Sequence, residues 1–251
     1  MLTSESHGQG SGVVLVHGTG SSAAFWAPVV DDLAREHTVV VPDLPGSGGS
    51  PLPEGPLDLD QVADEIVATA ERAGLDRFAL VGMSMGAAVA VRVARRQPAR
   101  VTRLALLAGY AVPRAGLRLR FDVWASLLGK DDDAAAKLLV TLSSPDHILG
   151  AMSEEQVSGL LGWVRSGQAP GVAAQLELAR TLDVRQDLGH VTAPTLVMAG
   201  DADPFVEPSH SLQFVAGIRG ARLETVRGGG HGFILEQPEH TMTVLVPFPD
   251  R

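Results

Sequence analysis

The chain has 251 residues, 45% of them hydrophobic and 20% charged, enough to bury the core of one α/β domain with an insertion and too apolar for global disorder. Its 29 acidic and 20 basic side chains leave a formal charge of −9, which argues against a surface that tracks nucleic-acid phosphates. The absence of cysteine excludes disulfides, thiol catalysis and Cys-ligated metals.

Met1 to Gly12 is polar and Gly-rich, without the basic start and apolar stretch of a signal peptide. No apolar run approaches the roughly 18 residues needed to cross a bilayer. A cytoplasmic chain that binds neither nucleic acid nor membrane is therefore expected; homo-oligomerisation stays open. Short, nearly unbroken apolar runs then recur at Val13–Val16, Thr38–Val41, Phe78–Val81, Leu104–Ala108 and Thr195–Ala199, with a weaker one at Leu223–Val226. Runs without strict alternation predict strands buried on both faces of a parallel sheet.

Helical spacing lies between them. Trp26, Val30 and Leu33 form one apolar stripe; Leu59, Val62, Ile66 and Ala70 form another, opened by Asp58 with Gln61 three residues on and closed by Gly74. A further helix is predicted through Ala87–Arg96, stopping before Pro98. This alternation predicts a doubly wound sheet with its site at the C-terminal ends of the strands. From Tyr110 to Asp187 the rhythm changes: helical patches at Phe121–Leu128, Ala134–Leu142, Glu154–Val164 and Val172–Leu182 come without a convincing strand. The expected organisation is an α/β core over residues 1–109 and 188–251, interrupted by a helical cap over 110–187.

The chemistry centres on Gly82-Met83-Ser84-Met85-Gly86, between a predicted strand and a predicted helix. A serine at such a turn needs a strained backbone to lift its hydroxyl clear of the sheet, and glycines two before and two after relieve the crowding. As its base, His231 stands out among eight histidines, because Gly228-Gly229-Gly230-His231-Gly232 is a flexible loop after the last predicted strand. His17 follows the first strand directly and reads as structural. Asp201 and Asp203 both follow the strand Thr195–Ala199 and are both candidates for the orienting carboxylate, with Asp203 preferred. Either could instead be a turn residue. The order Ser84, Asp203, His231 is that of a triad on this kind of sheet. The backbone N–H groups of Thr19, in His17-Gly18-Thr19-Gly20, and of Met85 are the candidate oxyanion donors. The Gly-rich loop lacks the lysine and spacing of a phosphate-binding loop.

These motifs together resemble the α/β-hydrolase superfamily over nearly the whole chain outside the insertion. Val41-Pro42-Asp43-Leu44-Pro45-Gly46-Ser47-Gly48-Gly49-Ser50 is similar to the family's Asp-x-x-Gly-x-Gly-x-Ser loop, in which Asp43 would pin the loop. The family's Gly-x-x-Asp maps onto Gly200 and Asp203. The likeness is greatest to small bacterial esterases, enol-lactonases and carbon–carbon bond hydrolases with a helical cap. It implies a mostly parallel sheet flanked by helices and acyl transfer to water without metal or organic cofactor. It also implies a small, largely apolar substrate covered by the insertion, whose Phe121, Trp124, Leu127, Leu128 and Trp163 are candidate pocket residues. Serine at position 84 argues against dehalogenase and epoxide hydrolase chemistry, where the family places aspartate. Carbon–carbon bond cleavage, cofactor-free perhydrolase, lyase or cyclase chemistry, and a non-catalytic binding protein are the alternatives. The family's N-terminal hairpin can be present here only as its second strand, because Leu2–Gly10 is all the chain available.

Overall fold

A computed structural model describes residues 1–250. The apolar runs become strands buried from both sides, except the run Leu223–Val226, which forms an edge strand with only Val226 buried, because no further strand covers it. β2 (Ser11–Val16), β3 (His37–Pro42), β4 (Phe78–Met83), β5 (Val101–Leu107), β6 (Thr195–Gly200) and β7 (Arg222–Val226) run parallel to one another. β1 (Ser4–His7) pairs antiparallel with β3 at one edge. The order across the sheet is β1-β3-β2-β4-β5-β6-β7. Most strands extend past their apolar runs, since polar residues such as Ser11, His37 and Arg103 continue the ladder where burial alone gives no signal. Ala108, expected inside β5, instead leaves it with φ 43°.

Alternate side chains of each strand serve opposite faces. Val14, Val16, Leu80, Leu104 and Leu106 pack with Val62 and Ile66 of α2 (Leu59–Arg72) and Val89 and Val93 of α3 (Met85–Arg96). Val13, Leu15, Val81, Leu107 and Met198 pack on the other face with Val30 and Leu33 of α1 (Ala27–Leu33). Trp26 belongs to the 3₁₀ turn Ala23–Trp26 that leads into α1, not to the helix itself. The Asp58 side chain caps α2 by accepting from the Asp60 and Gln61 N–H groups at 2.9 and 3.0 Å, and Gly74 ends the following turn at φ 79°.

Between β5 and β6 the chain makes only helices: α4 (Ala115–Leu127), α5 (Asp132–Ser143), α6 (Asp146–Leu149), α7 (Glu154–Ser166), α8 (Val172–Thr181) and α9 (Arg185–Leu188). The short α6 and α9 have no periodic signature in the sequence. α7 carries a full capping box between Ser153 and Gln156. The buried Tyr110 hydroxyl donates to the Ala179 carbonyl at 3.2 Å and so fastens α8 to the end of β5. After β6 come α10 (Pro208–Gly217), β7, α11 (Phe233–Glu236) and α12 (Pro238–Leu245). Among the described residues no helix is long and apolar enough to cross a membrane.

Candidate active site

Ser84 joins β4 to α3 with φ 55° and ψ −121°, a conformation that L side chains rarely adopt. Its N–H donates to the Leu107 carbonyl at 2.9 Å, so the neighbouring strand holds the turn. The flanking glycines are needed sterically. A Cβ on Gly86 would strike the Val16 and His17 carbonyls, and one on Gly82 would strike the backbone of Gly86. Gly18 lies on the other side, where a Cβ would come within 2.9 Å of Ser84 Cβ. The turn thus exists because four backbone segments meet where no side chain fits.

Asp203 and His231 come from the loops after β6 and β7. The Asp203 carboxylate lies 2.9 Å from His231 Nδ1 through Oδ2, while Oδ1 accepts the N–H groups of Phe205 and Val206 at 2.8 and 2.9 Å. Its side chain is 1% exposed and that of His231 is 11%. Asp201 is used differently: exposed, it accepts the Gly228 N–H at 2.6 Å and shapes the histidine loop from below. Phe205 sets its ring edgewise to the imidazole with centroids 5.1 Å apart. Ser84 and His231 line the same cavity without a hydrogen bond between them. Such bonds commonly tighten only when substrate arrives.

The loop after β2 is held from several sides. Leu44 N–H donates to His17 Nε2 at 3.0 Å, which leaves the ring proton on Nδ1 to donate to the Gly18 carbonyl at 2.8 Å. Both nitrogens of a neutral ring are thereby used, and complete burial lowers the His17 pKa to about 4. Asp43 accepts from the Ala23 and Gly49 N–H groups and from the Thr3 hydroxyl, so it ties loops together at a distance from the cavity. Gln175 of α8, fully buried, accepts the Gly20 N–H at 2.8 Å and donates to the Pro45 carbonyl and Ser47 hydroxyl at 2.9 Å each. Thr19 and Met85 thus stand on either side of the serine turn, Thr19 in the loop after β2 and Met85 at the first position of α3. The Thr19 hydroxyl donates to the Met85 sulfur at 3.5 Å.

A cavity of about 520 Å³ opens over Ser84. Phe121, Trp124, Trp163 and Phe205 contribute its aromatic wall. Trp124 is 2% exposed and packs on Gly20, whereas Trp163 stands 55% exposed at the rim. Leu127 and Leu128 do not line it: α4 ends at Leu127, and Leu128, its C-cap, packs against the core cluster instead. Glu236 is the cavity's one carboxylate, and no lysine or arginine lines it.

A model of the alpha/beta hydrolase family matches residues 13–242, nearly the whole of this sheet and its inserted helices. The chain belongs to that family. Among the relatives of this hydrolase is the pyrrolizixenacetamide deacetylase of Xenorhabdus hominickii, 34% identical, with 96% of this chain and 91% of the relative aligned. A protein of Azorhizobium caulinodans assigned as the carbamate hydrolase RutD is 28% identical over 97% and 93% of the two chains. Among solved structures, a thermophilic esterase from Thermogutta terrifontis superposes with a TM-score of 0.84 at 27% identity, over 97% of this chain and 91% of that one.

Several residues at the site of this hydrolase escape sequence reasoning. Phe205 follows the Asp203-Pro204 turn and carries no motif or periodic signal. Glu236 sits five residues after His231 on a helix of only four residues, too short to show a period. Gln175 reaches its partners across more than 120 residues of sequence, and nothing in the helical stripe of α8 marks it.

Proposed function

We propose that this hydrolase cleaves a carboxylic ester or lactone of a small, largely apolar substrate through an acyl-enzyme on Ser84. His231 removes the hydroxyl proton as Ser84 attacks the carbonyl, and Asp203 holds the imidazole in the tautomer with its proton on Nδ1 and steadies the imidazolium that forms. The Thr19 and Met85 N–H groups receive the developing oxyanion, each worth a few kcal/mol of transition-state stabilisation. The imidazolium then protonates the leaving alkoxide, and in the second half His231 activates water against the acyl-enzyme. The helices of 110–187 act as the cap. Trp124 forms the inner wall of the acyl pocket, and Trp163 meets the substrate at the mouth.

The observation that carries this reading is the 2.9 Å contact between buried Asp203 and His231, beside a serine held at φ 55° in the same cavity. The cavity's apolar wall and lack of a cationic side chain support neutral substrates, because a carboxylate or phosphate entering it would lose water without gaining a counter-charge. A second reading, release of an acyl group from an amide nitrogen, is favoured by the name of the 34% identical deacetylase.

A panel of p-nitrophenyl esters, a lactone, an aryl acetamide and a vinylogous diketone, run with wild type and Ser84→Ala, tests both. Turnover of neutral esters or lactones, lost in Ser84→Ala and much weaker for matched carboxylate-bearing esters, is the expected result. Turnover of the amide in preference to esters supports the second reading. Turnover of the diketone alone overturns both.

A further inference from the structure

The histidine loop is fixed at every residue from Gly228 to Gly232, and each fixing point belongs to a different part of the molecule. Asp201 takes the Gly228 N–H at 2.6 Å, and the Val226 carbonyl takes that of Gly229 at 3.1 Å. The Ser143 carbonyl, at the C-terminal end of α5, takes the His231 N–H at 2.8 Å and the Gly232 N–H at 3.3 Å. Gly230 is held by a side chain: its N–H donates to Glu236 Oε2 at 2.7 Å. The second carboxyl oxygen, Oε1, is buried with no hydrogen-bond partner, wedged against the Gly230 backbone. A Cβ on Gly230 would lie 2.8 Å from it and would strike Ser143 and Pro145 besides. An orphaned buried carboxyl oxygen is costly, and a leucine or methionine there would avoid that cost.

From this arrangement we infer that Glu236 is a positioning residue for His231, clamping the Gly230 peptide against the end of α5 so that the imidazole keeps its line to Asp203 and Ser84. The inference rests on Ser84 and His231 acting as proposed above. The clamp has a reason to be needed. Three successive glycines place the histidine, and a glycine run has more conformational freedom to lose than any other sequence. Asp201 and Val226 secure its start, and the Ala202 N–H donates to the Gly229 carbonyl at 3.1 Å. Without Glu236 the Gly230 N–H, on the other side of that same peptide, loses its acceptor and the peptide is held from one side only. The groups facing the imidazole are Asp203 from the β6 loop, Ser84 from the β4 turn and Glu236 from α11. Burial pushes the Glu236 carboxyl above the usual carboxylate range, against the opposing pull of the Gly230 N–H.

The test compares Glu236→Ala with Glu236→Gln, whose amide oxygen can still accept from Gly230. Each variant is measured for kcat, KM and thermal midpoint, the kinetics on an ester that the wild type hydrolyses. Misplacement of a base by an ångström can cost up to about a hundredfold. Glu236→Ala is expected to lose tenfold to a hundredfold, roughly, in kcat with KM little changed. Glu236→Gln should recover most of the loss in kcat, because its amide oxygen can still accept the Gly230 N–H. Wild-type kcat in Glu236→Ala would overturn the inference. So would a rise in KM at constant kcat, which would make Glu236 a substrate contact. Fluorophosphonate labelling of wild-type Ser84, run alongside, separates these outcomes from failure of the serine mechanism itself.

Discussion

Two regions of this hydrolase meet at the cavity, and they hold their residues by different physics. On the sheet side, Ser84, Asp203 and His231 stand on loops whose positions are set by backbone packing. Gly82 against Gly86, Gly86 against the end of β2 and Gly200 against Gly229 all approach too closely for a side chain. On the other side, α4, α5 and α7 present large apolar side chains, and their contact with the sheet depends on a few polar bridges. Among those bridges are Gln175 to the loops after β2 and β3, the Ala169 and Gly171 N–H groups to the Gly20 and Gly46 carbonyls, Arg120 to the Phe205 carbonyl and Ser143 to the histidine loop. Close backbone packing fixes atoms to a fraction of an ångström and tolerates almost no substitution. A wall of Phe, Trp and Leu tolerates change in volume and shape. On the proposed mechanism, the chemistry resides where the chain is least free, and substrate choice where it is freest.

The sharpest way to break this contrast is at Asp203. Asp203→Asn should fold normally by circular dichroism and lose about 10⁴-fold in kcat, because the amide cannot stabilise the imidazolium or hold the required tautomer. A loss of less than about tenfold would mean that Asp203 is only a turn residue.

The two tryptophans sharpen the contrast from the other side. Trp124→Ala removes a side chain that is 2% exposed and should cost about 3–5 kcal/mol in urea unfolding, while admitting bulkier acyl chains. Trp163→Ala, at a position 55% exposed, should leave stability within about 0.5 kcal/mol and act mainly on KM. Equal stability losses would show that α7 packs on the body more tightly than its exposure implies.

A smaller effect reports on the loop after β2. The unfolded chain protonates His17 near 6.5 and the folded chain near about 4, so within that window falling pH protonates only the unfolded state. Its contribution is fully present above 6.5 and is lost as pH falls through the window, by about 1.4 kcal/mol per unit and roughly 3 kcal/mol in all. Urea unfolding at pH 7 and pH 4.5 should show His17→Asn to have a flatter pH dependence than wild type. An unchanged difference between the two pH values would contradict the neutral, doubly bonded ring.

The same contrast explains what could be read from the sequence. The strands were legible because burial on both faces leaves unbroken Val and Leu runs. The serine turn was legible because its steric demand leaves glycines at fixed offsets. Even there the boundaries shifted by one to three residues, as at β5, where Val101 and Arg103 join the ladder outside the apolar run. The helical nature of 110–187 was legible as well, but not what its side chains touch. Leu127 and Leu128 carry the same apolar signal as Trp124 yet do not line the cavity, because α4 ends there. Gln175 and Glu236 matter only through partners that folding brings to them, and single-residue polarity does not encode a partner.

The central claim is that Ser84 is the nucleophile. Incubation with a fluorophosphonate, followed by peptide mass mapping, tests it most directly. The account predicts stoichiometric modification on the peptide carrying Gly82-Met83-Ser84-Met85-Gly86, with loss of ester hydrolysis in proportion to labelling and no labelling in Ser84→Ala or His231→Ala. A label on another residue, or hydrolysis that persists in fully labelled protein, would contradict it.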